Sequence, residues 1–76
     1  MKKQEKLQQR IQLIGKRIKK LRIDGNYTSY EKFAIAKGID RKQYWRLEKG
    51  SNFTMATLIN ICDFHNISLE EFFEGL

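Results

Sequence analysis

The sequence predicts an all-α domain, and three observations lead to this fold class. Proline is absent from the 76 residues, so no segment carries the residue that most strongly breaks a helix interior. No stretch alternates apolar and polar residues for long, as a half-buried strand would. Residues typical of helix N-termini and glycines typical of C-termini bracket segments whose apolar side chains recur at helical spacing. A chain of this length forms a single domain.

The first helix is predicted over about residues 3–23. Its apolar side chains recur at intervals of four and three residues, which places them along one side of the helix: Leu7, Ile11, Ile14, Ile18 and Leu21. Lys and Arg occupy most of the other sides. Gly25 and Asn26 follow, and both tolerate the left-handed backbone that ends a helix.

A second helix begins at a cap provided by Thr28 or Ser29. Glu31 then stands where a capping box would place it, with its carboxylate reaching back to the cap. Gly38 ends this helix. The small and apolar positions that it offers to a core are Phe33, Ala34 and Ala36.

A third helix is predicted from 41 to 49, because Asp40 is a good N-cap and Gly50 a good terminator. Tyr44 and Leu47 lie three residues apart and therefore share a face. Ile39, just before the helix, is placed to pack with them. We expect this face to belong to the core.

Two further helices complete the chain. Thr54 caps the fourth, and Ser68 with Glu71 forms a capping box that opens a short fifth. The residues expected on their inner sides are Met55, Leu58, Ile61 and Cys62 in the fourth helix, and Leu69, Phe72 and Phe73 in the fifth.

The charge is divided unevenly along the chain. All 15 Lys and Arg residues lie in residues 1–50, together with five acidic residues, whereas residues 51–76 carry four acidic residues and no basic one. Such a division favours one face for a polyanion, either nucleic acid or an anionic membrane surface, and a second face turned away from it. The alternative is an ordinary solvated surface with accidental clustering.

Several classes of protein are excluded by what the sequence lacks. No apolar run approaches the roughly 20 residues of a membrane span, and no apolar segment follows the basic N-terminus as in a secretory signal, so we expect a cytoplasmic protein. The single cysteine, Cys62, and the single histidine, His65, cannot by themselves form a disulfide or a zinc site. We expect a buried, inert thiol and a packing or exposed imidazole. No nucleophile–base pair or phosphate-binding glycine loop suggests an enzyme, and no cofactor is expected.

The second and third segments have the spacing of a helix-turn-helix, in which the second helix is offered to the major groove of DNA. Opposite the apolar face of the third helix, basic and aromatic residues fall within about 140° of arc: Arg41, Lys42, Trp45 and Arg46. Arg and Lys can bond the O6 and N7 atoms of guanine, and an aromatic ring can touch a thymine methyl group. Taken alone, three basic residues on a short helix fit a solubilising surface equally well.

From about Ile14 to Phe73 the chain resembles the phage-repressor/Cro-type (XRE-like) helix-turn-helix domain. The matching stretches, in order, are residues 14–22, 31–34, 38–41, 46–50, 57–62 and 67–72, and the strongest is the run from Arg46 to Gly50. The resemblance implies a compact five-helix, lambda-repressor-like fold, with the helix-turn-helix at helices 2 and 3 and an extended first helix. It also implies sequence-specific binding to double-stranded DNA by a transcriptional regulator, usually a repressor, that commonly acts as a homodimer.

Carried over residue by residue, the resemblance implies roles for individual side chains. The base-reading positions are Arg41, Lys42 and Arg46, with Trp45 beside them. The expected phosphate contacts are Ser29, Tyr30, Gln43, Lys49 and Asn52. Tyr30 stands where the family usually has glutamine. Arg22 and Glu48 match an internal ion pair between the first and third helices.

Residues 1–10 are expected to be an extension of the first helix, with the DNA-binding domain at residues 11–76. Three interpretations of the extension remain open: a helix packed on its own domain, a helix that pairs with another chain, or a basic arm that touches DNA. The alternative function is a protein-interaction module on the same fold, such as the antitoxin of a toxin–antitoxin pair, with DNA binding for autoregulation.

Overall fold

Helices form the regular structure of this chain. The computed structural model describes residues 2–76, with side chains from Glu5 onward, and within this range there are five helices and no strand. They are α1 (Lys2–Asp24), α2 (Tyr30–Lys37), α3 (Arg41–Lys49), α4 (Met55–Phe64) and α5 (Leu69–Phe73). The predicted all-α class is confirmed. None of these helices is both long and apolar enough to cross a membrane.

The helix boundaries follow from local hydrogen bonds. The Asp40 carboxylate accepts from the backbone N–H of Gln43 at 3.0 Å, and the Thr54 hydroxyl accepts from that of Thr57 at 3.2 Å. Ser68 and Glu71 exchange two bonds of 3.0 Å, which is the predicted capping box. At the other ends, Gly38 and Gly50 adopt positive φ values of 70° and 93° and close α2 and α3.

Ser29, one of the two predicted caps of α2, is the N-cap, and its hydroxyl oxygen accepts from the Lys32 N–H at 3.3 Å. The predicted capping box is wrong. With the cap at Ser29, the third helical position is Lys32, so Glu31 is one residue too early to complete a capping box. The Glu31 carboxylate instead accepts from the guanidinium of Arg41 at 3.2 Å.

The core lies where α1, α2, α3, α4 and α5 converge. Its buried members are Ile18, Phe33, Ala34, Tyr44, Leu47, Leu58, Ile61, Cys62 and Phe72, and Ile39 packs against them as expected. Burial raises the pKa of the Cys62 thiol, with a further contribution from the Asp63 carboxylate, so this cysteine is the inert core residue that was expected.

Some residues predicted to face inward are exposed. Met55 is the first residue of α4 and projects beyond the core, and Ala36 also lies on the surface. Helix α5 has only five residues, so one side chain, Phe72, fills the core while Leu69 and Phe73 remain on the surface. Phe73 packs edge-on against Phe72, with ring centroids 5.0 Å apart.

Helix α1 approaches α3 closely at Gly15. A Cβ atom at this position would lie 2.7 Å from the backbone oxygens of both Leu47 and Glu48. Real Cβ atoms do not come so close to a carbonyl oxygen, so only glycine allows this approach. Further along α1, the Gln8 side-chain amide donates to the Gly50 carbonyl at 3.3 Å. The N-terminal half of α1 therefore runs past the C-terminal end of α3.

Arg17 attaches the opposite side of α1 to α5. Its guanidinium donates to the carbonyl oxygens of Phe72 at 3.1 Å and Glu74 at 2.8 Å. These carbonyls belong to the last turn of α5 and the residue after it, where a helix leaves acceptors without helical partners. Arg17 thus satisfies the end of α5 and holds it against α1.

His65 has a packing role at the end of α4. Its ring stacks on Phe33 with centroids 5.3 Å apart and an interplanar angle of 7°. The Nε2 atom is buried without a hydrogen-bond partner among the described residues. Burial, and secondly the positive charge of Lys37, lowers the pKa of His65 below its ordinary value.

We predict that Gly15→Ala destabilises the protein by about 1–3 kcal/mol, because the added methyl group forces α1 away from the α3 backbone. The midpoint of urea unfolding measures the change. Lys16→Ala is the matched control, since it alters the neighbouring, exposed position of the same helix. Equal midpoints for Gly15→Ala and wild type would contradict the close approach.

We also predict that stability falls as the pH is lowered from about 7 to about 5.5. The unfolded state binds a proton at His65 near the ordinary pKa of about 6.5, whereas the folded state resists protonation to lower pH. The free energy of unfolding therefore decreases as the pH falls through this window.

His65 is the single histidine of the chain, so His65→Phe keeps the stacking on Phe33 and removes the titration. The variant should show a flatter dependence of the urea midpoint on pH. An unchanged slope in the variant would rule out His65 as its source.

Candidate nucleic-acid interface

The outer side of α3 is a continuous exposed surface. Arg41, Lys42, Trp45 and Arg46 are all exposed, while Tyr44 and Leu47 on the opposite side are buried. Helix α3 therefore has a core face and, opposite it, a face of three cations and an indole. Caps at Asp40 and Gly50 fix both ends of this helix.

Arg41 is held in place by α2. Its Nη1 donates to the Glu31 carboxylate at 3.2 Å, and both side chains are at least half exposed. An ion pair so open to water contributes little stability, but it orients the guanidinium at the start of α3. Sequence reasoning missed this role of Glu31 because the residue was assigned to a capping box.

One recess lies between α3 and α4. We call it the α3–α4 cleft; it measures about 510 Å³ and the polar residues that line it include Gln43, Arg46, Ser51, Asn52, Thr54 and Asn60. The Ser51 hydroxyl donates to the Arg46 carbonyl at 3.1 Å and ties the start of the loop to the end of α3. Gln43 and Asn52, two of the residues predicted to contact phosphate, thus meet on this side of α3.

A second recess lies between α1 and α3. We call it the α1–α3 groove; it measures about 500 Å³ and is lined by Gln12, Lys16, Lys19, Tyr30, Trp45 and Lys49, with Arg22 and Glu48. The Lys49 ammonium stands 5.5 Å from the centroid of the Trp45 ring, a cation–π arrangement. Tyr30, Trp45 and Lys49 thus meet here, and half-buried Ser29 directly precedes Tyr30.

Lys16 and Lys19 were not singled out by sequence reasoning. Both are exposed positions of α1 in a segment that already carries many basic residues. Their proximity to α3 depends on how the two helices pack. No signal in the sequence distinguishes them from the other lysines of α1.

Arg22 and Glu48 form a buried, two-pronged ion pair beside the α1–α3 groove. The Arg22 Nε atom lies 2.7 Å from Glu48 Oε2, and Nη2 donates to Oε1 at 3.1 Å. Nη1 also donates to the carbonyls of Tyr27 and Thr28, both at 2.9 Å. One guanidinium thus joins α1, the loop that leads into α2, and α3.

The electrostatics of this pair follow from its burial and bonding. The hydrogen bonds that Arg22 donates to the Glu48 carboxylate raise the pKa of Arg22, which keeps the guanidinium charged. Burial, and then the Glu48 carboxylate, raises the pKa of the neighbouring Tyr44 hydroxyl far above its ordinary value. The positive charge of Arg22, 2.7 Å away, offsets the negative charge of the buried Glu48 carboxylate.

The described side chains, from residue 5 onward, contain no group of three or more His, Cys, Asp or Glu residues placed to hold a metal ion. Two carboxylates at α3 are paired with arginines, Glu31 with Arg41 and Glu48 with Arg22. The cations, amides and hydroxyls around the helix can donate to phosphate oxygens and base edges.

Comparison with known proteins agrees with this geometry. The sequence model of the Cro/C1-type HTH DNA-binding domain matches residues 17–74, and so confirms the family resemblance. No curated protein matches the chain significantly, and no solved structure does.

Proposed function

This chain belongs to the Cro/C1-type helix-turn-helix DNA-binding family, and we propose that it is a transcriptional repressor that recognises a specific sequence in double-stranded DNA. The observation that carries the proposal is the exposed basic and aromatic face of α3, flanked on both sides by recesses lined with hydrogen-bond donors. In this arrangement α3 enters the major groove, and each recess accepts the phosphate backbone of one strand.

The base-reading role falls to Arg41, Lys42, Trp45 and Arg46. Arg and Lys at these positions donate to guanine O6 and N7, and Trp45 offers an apolar surface to a thymine methyl group. Arg41 exchanges its bond to Glu31 for one to a base. Because that pair is solvent-exposed, the exchange costs little.

The phosphate contacts fall to residues on both sides of α3. Lys49 and Tyr30 line the α1–α3 groove, whereas Gln43 and Asn52 line the α3–α4 cleft. The oxygen of Ser29 accepts the N-cap bond from Lys32, which leaves the hydroxyl hydrogen for a phosphate. These contacts fix the position and orientation of α3 without reading sequence.

The proposal includes a homodimer that represses by occupying its operator. Two reading helices in successive major grooves require half-sites about 34 Å apart. The exposed apolar side chains of Leu69, Phe73 and Leu76 at the C-terminal end of the chain support pairing of two copies there. In this proposal residues 11–76 form the DNA-binding domain and residues 1–10 are its N-terminal extension, which is helical from Lys2 onward in the part that the structure describes.

A second candidate is an antitoxin that binds a toxin and uses DNA for autoregulation. The observation in its favour is the same exposed apolar surface at the C-terminal end, which lies in the part of the chain, residues 51–76, without Lys or Arg. A toxin-like reading frame directly beside the gene, and co-purification of its product, would favour this candidate over a stand-alone repressor.

Selection of bound duplexes from a randomised pool tests the proposal. We expect a palindromic motif with half-sites about one helical turn apart, and affinity that falls steeply with salt. Weak binding that enriches no motif would overturn sequence-specific recognition.

For individual residues, we predict that Lys42→Ala costs about 1–3 kcal/mol on the selected duplex and much less on random DNA, because it removes a base contact. Lys49→Ala should weaken binding to both duplexes by similar factors, because a phosphate contact carries no sequence information. Fluorescence anisotropy with the selected and the random duplex measures the affinity of each variant relative to wild type.

Lys20→Ala is the control, since this exposed lysine lies outside both recesses and pairs with Asp24 at 2.9 Å. Equal losses on specific and random DNA for Lys42→Ala would refute its assignment to base reading.

A further inference from the structure

The basic residues of α1 differ in what they bond to. Arg17 is committed to the end of α5, Lys20 to Asp24, and Arg22 to Glu48. Lys16 and Lys19 form no ion pair or hydrogen bond within the part of the chain that the structure describes. Within the described residues, no acidic side chain pairs with their positive charges, which are therefore available to an anionic ligand.

Lys16 and Lys19 also share a direction. They are three residues apart on α1, which places them about 60° apart around the helix and one turn apart along it. Both line the α1–α3 groove, together with Lys49 from the end of α3. Three ammonium groups thus border one recess. The carboxylate that lines it, Glu48, is ion-paired with Arg22.

The groove is continuous with the reading face of α3. Trp45 belongs to both, and Lys49 stands over its ring. Gly15 holds α1 against the α3 backbone next to these lysines, so the distance between Lys16, Lys19 and α3 is fixed by backbone packing. A DNA strand bound beside α3 on this side therefore also contacts Lys16 and Lys19.

We propose that Lys16 and Lys19 bind the phosphate backbone of DNA along the α1–α3 groove, so that α1 is a third DNA-contacting helix beside α2 and α3. The inference rests on the proposed function and extends the binding surface to α1. The two lysines act through charge on any sequence, and they add affinity and orientation without adding base preference.

The test is the salt dependence of binding for Lys16→Gln/Lys19→Gln. Each phosphate contact contributes about 0.9 to the slope of log K against log salt, so we expect the slope to fall by nearly two. At low salt we expect a loss on the order of tenfold, equal on the selected and on random duplexes, with the selected motif unchanged. Lys16→Glu/Lys19→Glu should lose more affinity than Lys16→Gln/Lys19→Gln, because it adds negative charge beside the phosphates.

Lys6→Gln/Lys20→Gln is the matched control. It removes the same charge from exposed positions of the same helix, and neither residue lines the groove. The inference requires the control to keep the wild-type slope. Urea midpoints close to wild type for both double variants establish that they are folded.

Two results would overturn the inference. If the groove variant and the control lose the same affinity, net charge and not the groove is responsible. If the groove variant keeps the wild-type slope while the wild type still selects a motif, α1 lies outside the interface and the proposed function stands without it. A wild type that selects no motif would instead refute the proposed function itself.

Discussion

The close packing of α1 on α3 is the contact on which the rest of the structure depends. Gly15 brings the two helices together where any other side chain would meet the carbonyls of Leu47 and Glu48. The Arg22–Glu48 pair then joins them and also holds the loop before α2. Removing one partner of such a buried pair strands the other charge, so the pair specifies the arrangement even where its net stabilisation is small.

This packing also builds the surface around α3. With its inner face fixed against α1 and the core, α3 presents its cations and Trp45 outward between the α1–α3 groove and the α3–α4 cleft. The acidic residues beyond Ser51 lie in the part of the chain without Lys or Arg. The division of charge seen in the sequence is thus consistent with a basic DNA-facing side supported by a more acidic C-terminal part.

The features that local chemistry determines were predictable from the sequence. The caps at Asp40, Thr54 and Ser68 and the terminators at Gly38 and Gly50 depend on a few neighbouring residues, and the bounds of α3 came out as predicted. Features that depend on tertiary packing were not. The short α5 inserts one aromatic ring into the core, and periodicity did not tell which of Phe72 and Phe73 stays on the surface. The place of Lys16 beside α3 follows from an approach between helices that periodicity does not encode.

Intermolecular nuclear Overhauser effects between the chain and its selected duplex test the central claim, that α3 reads the major groove from between the two recesses. The account predicts contacts from the side chains of Lys42, Trp45 and Arg46 to thymine methyl and cytosine H5 protons, which lie in the major groove. Contacts from α3 to minor-groove protons alone, or contacts to bases that arise from α5 instead of α3, would contradict it.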